Sequence, residues 1–133
     1  MSGLPHARTF SELEVYRRAS KVAQQIFELT KAFPREETFA LTDQLRRSSR
    51  SIGAQISEAW AKRRYRRSFV SKLTDAIAEE LETQHWVQVA RNCGYLAEQQ
   101  STGLIAALDE IGSMLHSMIE KAHLFCDRQP VRR

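Results

Sequence analysis

Apolar residues recur at helical spacing along nearly the whole 133-residue chain, and no stretch alternates with the two-residue period of a strand. The pattern is clearest from Leu41 to Arg67. A step of about 100° per residue gathers Leu41, Leu45, Ser48, Ser49, Ile52, Ile56, Ala59 and Trp60 on one stripe, the signature of a helix face turned into a core. Arg46, Arg47, Arg50 and Arg64 fall away from that stripe among Gly53, Ala54, Ser57 and Ala61. The outer face of this second helix is therefore basic and low in relief.

The first helix is expected from about Glu12 to Ala32. Ser11 can cap it, Glu14 can reach back to complete a capping box, and Phe10 can pack on Val15 as a hydrophobic staple. Its apolar residues form two adjacent stripes, one through Tyr16, Ala23 and Phe27, the other through Ala19, Val22, Ile26, Leu29 and Phe33, so it should bury against more than one neighbour. Phe33-Pro34 ends it, because proline drives the residue before it out of the α region. Thr42 is the expected cap of the second helix, and the break before the third is placed in Lys62 to Ser68, where five clustered cations repel one another.

The third helix should turn Phe69, Leu73, Ala76, Ile77, Leu81, Gln84 and Val87 inward and stop at Asn92-Cys93-Gly94, with Gly94 in the left-handed position. A fourth, starting between Glu98 and Leu104, carries Leu104, Leu108, Ile111, Leu115, Met118, Ile119, Ala122 and Phe125 on one face. Four helices of about 20 to 25 residues with short connections give an all-α fold, an antiparallel up-down-up-down four-helix bundle. Residues 1–127 form a single domain in this reading, and 128–133 a disordered basic tail.

Composition narrows the class. The chain has no signal-peptide core and no run near the ~18 apolar residues of a membrane span, so a cytoplasmic location is expected. Cys93 and Cys126, without a CxxC pair or neighbouring ligands, read as small buried hydrophobes. The net charge of +4 hides a partition: residues 41–72 carry +7 and residues 73–127 carry −7. Such asymmetry points to a polyanionic partner, or to the two halves pairing with each other.

Chemistry is sparse. Glu82-Thr-Gln-His85 and Glu120-Lys-Ala-His123 supply the two Glu-x-x-His sequences of a di-iron bundle, with Glu28 and Glu58 on the other helices. Both motif glutamates lie about half a turn from the apolar stripes and should face outward. His116, Glu120 and His123 read as a solvated flank, since a metal would need a further ligand. No phosphate loop or nucleophile motif is present. The chain reads as a non-enzyme with no catalytic residue, metal or cofactor.

Arg46, Arg47 and Arg50, with Lys62, Arg63, Arg64, Arg66 and Arg67, interleave with Trp60 and Tyr65. Guanidinium forks take phosphates bidentately and aromatic rings stack on unpaired bases, so these eight cations are the candidate nucleic-acid contacts. Gly53, Ser57 and Ala61 recur every fourth residue and leave a groove for a close-packed helix, the candidate oligomer interface.

Several of these segments resemble a known family. Phe33-Pro34, Glu37 and Phe39-x-Leu41-Thr42, then Gln44-x-Arg46-Arg47-Ser48-x-x-Ser51-Ile52-x-x-x-Ile56-x-Glu58, and later Glu80-Leu81-Glu82-Thr83-Gln84 with Gly94-Tyr95-Leu96, are similar to the bacterial four-helix bundle proteins first noticed as 23S ribosomal RNA intervening-sequence proteins. The likeness runs from Phe10 to about Leu124. It implies a cytoplasmic up-down bundle, a ring-shaped homopentamer and a nucleic-acid role; related accessory proteins of diversity-generating retroelements bind a reverse transcriptase and nucleic acid. The chain departs from the family pattern at Gln55-Ile56-Ser57-Glu58-Ala59, where the family usually reads Asn-Ile-Ala-Glu-Gly. Two expectations follow. The first is a homo-oligomeric RNA-associated bundle; the alternative is a protein-interaction scaffold whose basic and acidic faces pair between subunits or with a protein partner.

Overall fold

The second helix sets the frame. In the computed structural model, which describes residues 7–127, it is α2 (Leu41–Ala61), and it packs between α1 (Glu14–Thr30) and α3 (Arg66–Asn92). The helix α4 (Glu98–Glu120) packs on α3 and closes back onto α1, and a short α5 (Ala122–Phe125) follows. Diagonal pairs of long helices keep their Cα atoms more than 8 Å apart.

Side-chain register fixes the directions. Along α1 and α2, Tyr16 meets Gly53 while Phe27 lies under Arg46 and Arg50. Along α2 and α3, Arg47 meets Glu82, Ser51 meets Glu79, and Glu58 meets Lys72. Along α3 and α4, Glu80 faces Gly112, Gln84 bonds Asp109, and Arg91 pairs with Glu98. In each series one number rises as the other falls, so consecutive helices are antiparallel and the bundle runs up-down-up-down. The core is one cluster that includes Val22, Ile26, Leu45, Ile52, Ile56, Phe69, Leu73, Leu108, Ile111 and Leu115.

The break between α2 and α3 lies at 62–65, inside the stretch that charge repulsion marks. At the end of α3, Gly94 has φ +79, its amide donates to the Arg91 carbonyl, and the Tyr95 amide reaches back to Ala90. That pair of bonds is the Schellman closure, which needs the left-handed residue at this position.

Several local expectations are corrected. Ser11 does not cap α1: a 3-10 turn at Phe10–Glu12 takes it up, its hydroxyl bonds Thr9, and α1 starts after Leu13. Phe10 packs edge-on against Tyr16, with ring centroids 4.9 Å apart. Thr42 does not cap α2, because the helix already begins at Leu41 and Thr42 is buried in its first turn; the Glu37 carboxylate accepts the Leu41 amide instead. The fourth helix stops at Glu120, and Phe125 reaches the core from α5, stacked on Phe69.

The face of α3 also differs. Leu81 is exposed, whereas Glu80 and Thr83 are buried on the line of Leu73 and Val87. The cysteines are not core residues: Cys93 caps the exposed end of α3 and Cys126 is half-buried, both as free thiols. The basic tail at 128–133 lies outside the described residues. No helix among the described residues is long and apolar enough to cross a membrane.

Candidate nucleic-acid interface

The eight candidate cations separate into two groups. Arg46, Arg47 and Arg50 sit on the body of α2, while Lys62, Arg63, Arg64, Arg66 and Arg67 surround the turn into α3.

Arg46 is tied to α1. Its Nε donates to the Thr30 hydroxyl at 2.8 Å, and Nη2 approaches the Phe27 carbonyl at 3.4 Å, with the guanidinium 4.6 Å from the Phe27 ring centroid. Phe27 and Thr30 lie in the last turn of α1, where carbonyls lack helical partners and a cation is favoured. Arg46 therefore caps the neighbouring helix. Arg50 also lies over Phe27, at 5.3 Å, without a carboxylate in ion-pair range among the described residues.

Arg47 bridges to α3. Its Nη2 donates to Glu82 and Nη1 lies 3.6 Å from Glu79, while Glu82 also accepts the Trp86 indole N–H at 3.0 Å. The indole bond, then Arg47, hold the Glu82 carboxyl below its usual range, and the Glu82 bond raises Arg47 in turn. Beside this pair, the Thr83 hydroxyl bonds Ser48 at 2.9 Å and the Ser51 hydroxyl donates to Glu79 at 2.9 Å. The segment around Arg46 and the Glu80 to Gln84 segment, which carry the family resemblance, are thus largely partners of each other. They fasten α2 to α3.

Glu80 looks the other way, toward α4. It is 3% exposed, its Oε2 accepts the Gln84 amide at 2.6 Å, and the same amide donates to Asp109 at 2.9 Å. Burial pushes its carboxyl above the usual range. A side chain on Gly112 would bring a Cβ closer to Glu80 Oε1 than the 3.0 Å real Cβ atoms keep, so glycine is what admits the carboxylate. Sequence reading missed Glu80, although the signal was there: Glu80 lies on the Leu73/Val87 stripe, and Gly112 lies on the facing Leu108/Leu115 stripe.

The turn group is built differently. The Arg63 guanidinium stacks 3.6 Å from the half-buried Trp60 ring, and its Nε donates to the Trp60 carbonyl. Arg64 lies 5.7 Å from the ring of Tyr65, which is 60% exposed. Among the described residues Lys62, Arg66 and Arg67 have no carboxylate within ion-pair distance. The first turn of α3 holds no acid and no side-chain cap. Asp127 is the acid nearest this turn, its amide donating to the Arg63 carbonyl at 3.0 Å, and it leaves Lys62, Arg66 and Arg67 without an ion pair among the described residues.

Of the small-residue positions, Gly53 is occupied within the chain: a Cβ there would meet Tyr16 at 3.3 Å. Ser57 is half-buried and donates to the Ala54 carbonyl, and Ala61 is exposed. An open groove of about 1030 Å³ between α1 and α4 includes Arg18, Val22, Leu104 and Glu110, away from the basic turn. Among the described residues no group of three or more His, Cys, Asp or Glu could hold a metal ion. His85, His116, Glu120 and His123 are exposed.

No curated protein sequence is significantly similar to the chain. A crystal structure of a protein of unknown function from the S23 ribosomal protein family of Bacteroides thetaiotaomicron is similar, with 31% identity and a TM-score of 0.72, over 80% of this chain and 95% of that one. Neither its description nor that of the matching family names a reaction. The family model described as 23S rRNA-intervening sequence protein matches residues 11–117, a span that takes in all of α1, α2 and α3 and most of α4, and the chain belongs to that family.

Proposed function

We propose that the protein is a non-enzymatic, homo-oligomeric RNA-associated bundle whose RNA contact is the basic turn at Lys62–Arg67. One observation carries the reading: Lys62, Arg66 and Arg67 crowd around one turn, and none of these three has a carboxylate in ion-pair range among the described residues. Self-repulsion of this kind is relieved by an anion, and guanidinium forks suit phosphate. Arg46 and Arg47, engaged with α1 and α3, contribute to the fold rather than to the contact. Arg50, over the Phe27 ring and without a carboxylate partner among the described residues, extends the basic surface along α2.

Assembly into a ring, a pentamer by the family resemblance, multiplies the turn into a repeated basic surface and raises avidity through effective concentration. Ala54, Ser57 and Ala61, small side chains on the outer side of α2, leave room for a neighbouring subunit to approach closely.

The test is a titration of structured and unpaired RNA at several salt concentrations, with light scattering for the oligomer mass. Binding should weaken linearly in log–log form with salt. Arg66→Glu with Arg67→Glu should weaken it and flatten the slope, with helix content unchanged. Binding that is absent, or indifferent to salt, refutes the reading.

A further inference from the structure

We propose that Tyr65 is a base-stacking platform, and that the basic turn therefore selects unpaired RNA over duplex. This rests on the proposed function above and names the substrate class of the same site.

Tyr65 is the residue immediately before α3, in extended backbone conformation (φ −122, ψ 111), which projects it from the corner between two helices. Its ring is 60% exposed and meets no other aromatic ring among the described residues. The nearby Trp60 is half-buried and covered by the Arg63 guanidinium at 3.6 Å, whereas the Arg64 guanidinium stands 5.7 Å from the Tyr65 ring centroid. An exposed ring gains little for the fold, yet this one stands between Arg64 and the Arg66–Arg67 pair.

The arrangement matches the chemistry of a single strand. Each nucleotide brings an apolar π-face and an anionic linkage, so a ring set between cations can take a base while its neighbours take the flanking phosphates. A paired helix buries its base faces in its own stack and presents only backbone and groove edges. The ring then has nothing to stack on, and only the charge contact remains.

The experiment uses the full chain and one labelled RNA strand of mixed, unstructured sequence, measured by anisotropy with and without its complement across a salt series. The unaltered protein should bind the unpaired strand more tightly. Tyr65→Ala should weaken that binding by about 5- to 150-fold, the worth of one base stack, and leave duplex affinity and the salt slope alone. Tyr65→Phe should keep the preference. Equal losses on strand and duplex, or no loss on either while RNA is still bound, overturn the inference and leave the proposed function standing. Absence of RNA binding by the unaltered protein overturns both.

Discussion

Replacing Gly112 by alanine in the middle of α4 puts two effects of opposite sign in competition. Helix propensity favours alanine by about 1 kcal/mol. Against it, the added Cβ would lie closer than 3.0 Å to Glu80 Oε1, in a site where Glu80 is 3% exposed and held by Gln84. Forcing a carbon into a packed site costs about 1 to 3 kcal/mol. A carboxylate moved off its amide donor loses a further ~1.5 kcal/mol or more.

The clash should win, with Gly112→Ala destabilising the protein by about 1 to 3 kcal/mol. In a Glu80→Ala background the obstructing atoms are gone. There the same substitution should stabilise by ~0.5 to 1 kcal/mol. The assay is urea unfolding of the four proteins of this cycle at one fixed concentration, which isolates a coupling of about 1.5 to 4 kcal/mol. If Gly112→Ala has the same sign and size in both backgrounds, the account of glycine as the space for a buried carboxylate is wrong.

Three further predictions follow from the same interfaces. Because burial raises the Glu80 carboxyl in the folded state, the folded protein binds that proton more tightly, so stability should fall as pH rises from the usual carboxylate value through the raised one; Glu80→Gln should flatten the profile, and an unchanged slope in weakly acidic unfolding series counts against it. Thr83→Val keeps the shape but strips Ser48 of its buried partner, and should cost about 1 to 3 kcal/mol, with Ser48→Ala added to it costing less than the sum of the two singles in chemical denaturation. Gly94→Ala, at φ +79, should cost ~1 to 2 kcal/mol by thermal unfolding although nothing lies within 4 Å of the added carbon; a neutral result would mean that the α3–α4 turn relaxes.

The charge profile along the chain invites a simple picture, a basic helix offered to a partner, and the structure divides it. Arg46 and Arg47 look as exposed in sequence as Arg66 and Arg67, the first two off the apolar stripe and the other two in the charged break between helices. Arg46 nevertheless caps α1, and Arg47 bridges to Glu79 and Glu82 thirty-odd positions away. Lys62, Arg66 and Arg67 lack such partners among the described residues because the acids of α3 begin only at Asp75, beyond its first two turns.

Sequence alone specified four helices, their order, the break within 62–68 and the glycine that closes α3, since each follows from local chain physics: stripe spacing, charge repulsion and the cost of a left-handed residue. Helix starts escaped it, because a 3-10 turn took up Ser11 and a preceding glutamate did the work expected of Thr42. The inward side of α3 escaped it too. A helix with Leu81 outside and Glu80 and Thr83 inside inverts the rule that apolar residues face the core. Only the facing helices resolve the inversion, through Ser48 on α2, which gives Thr83 a partner, and through a glycine on α4 that leaves room for Glu80. Burial of a polar group is decided by what stands opposite it, and that is a property of the assembled bundle.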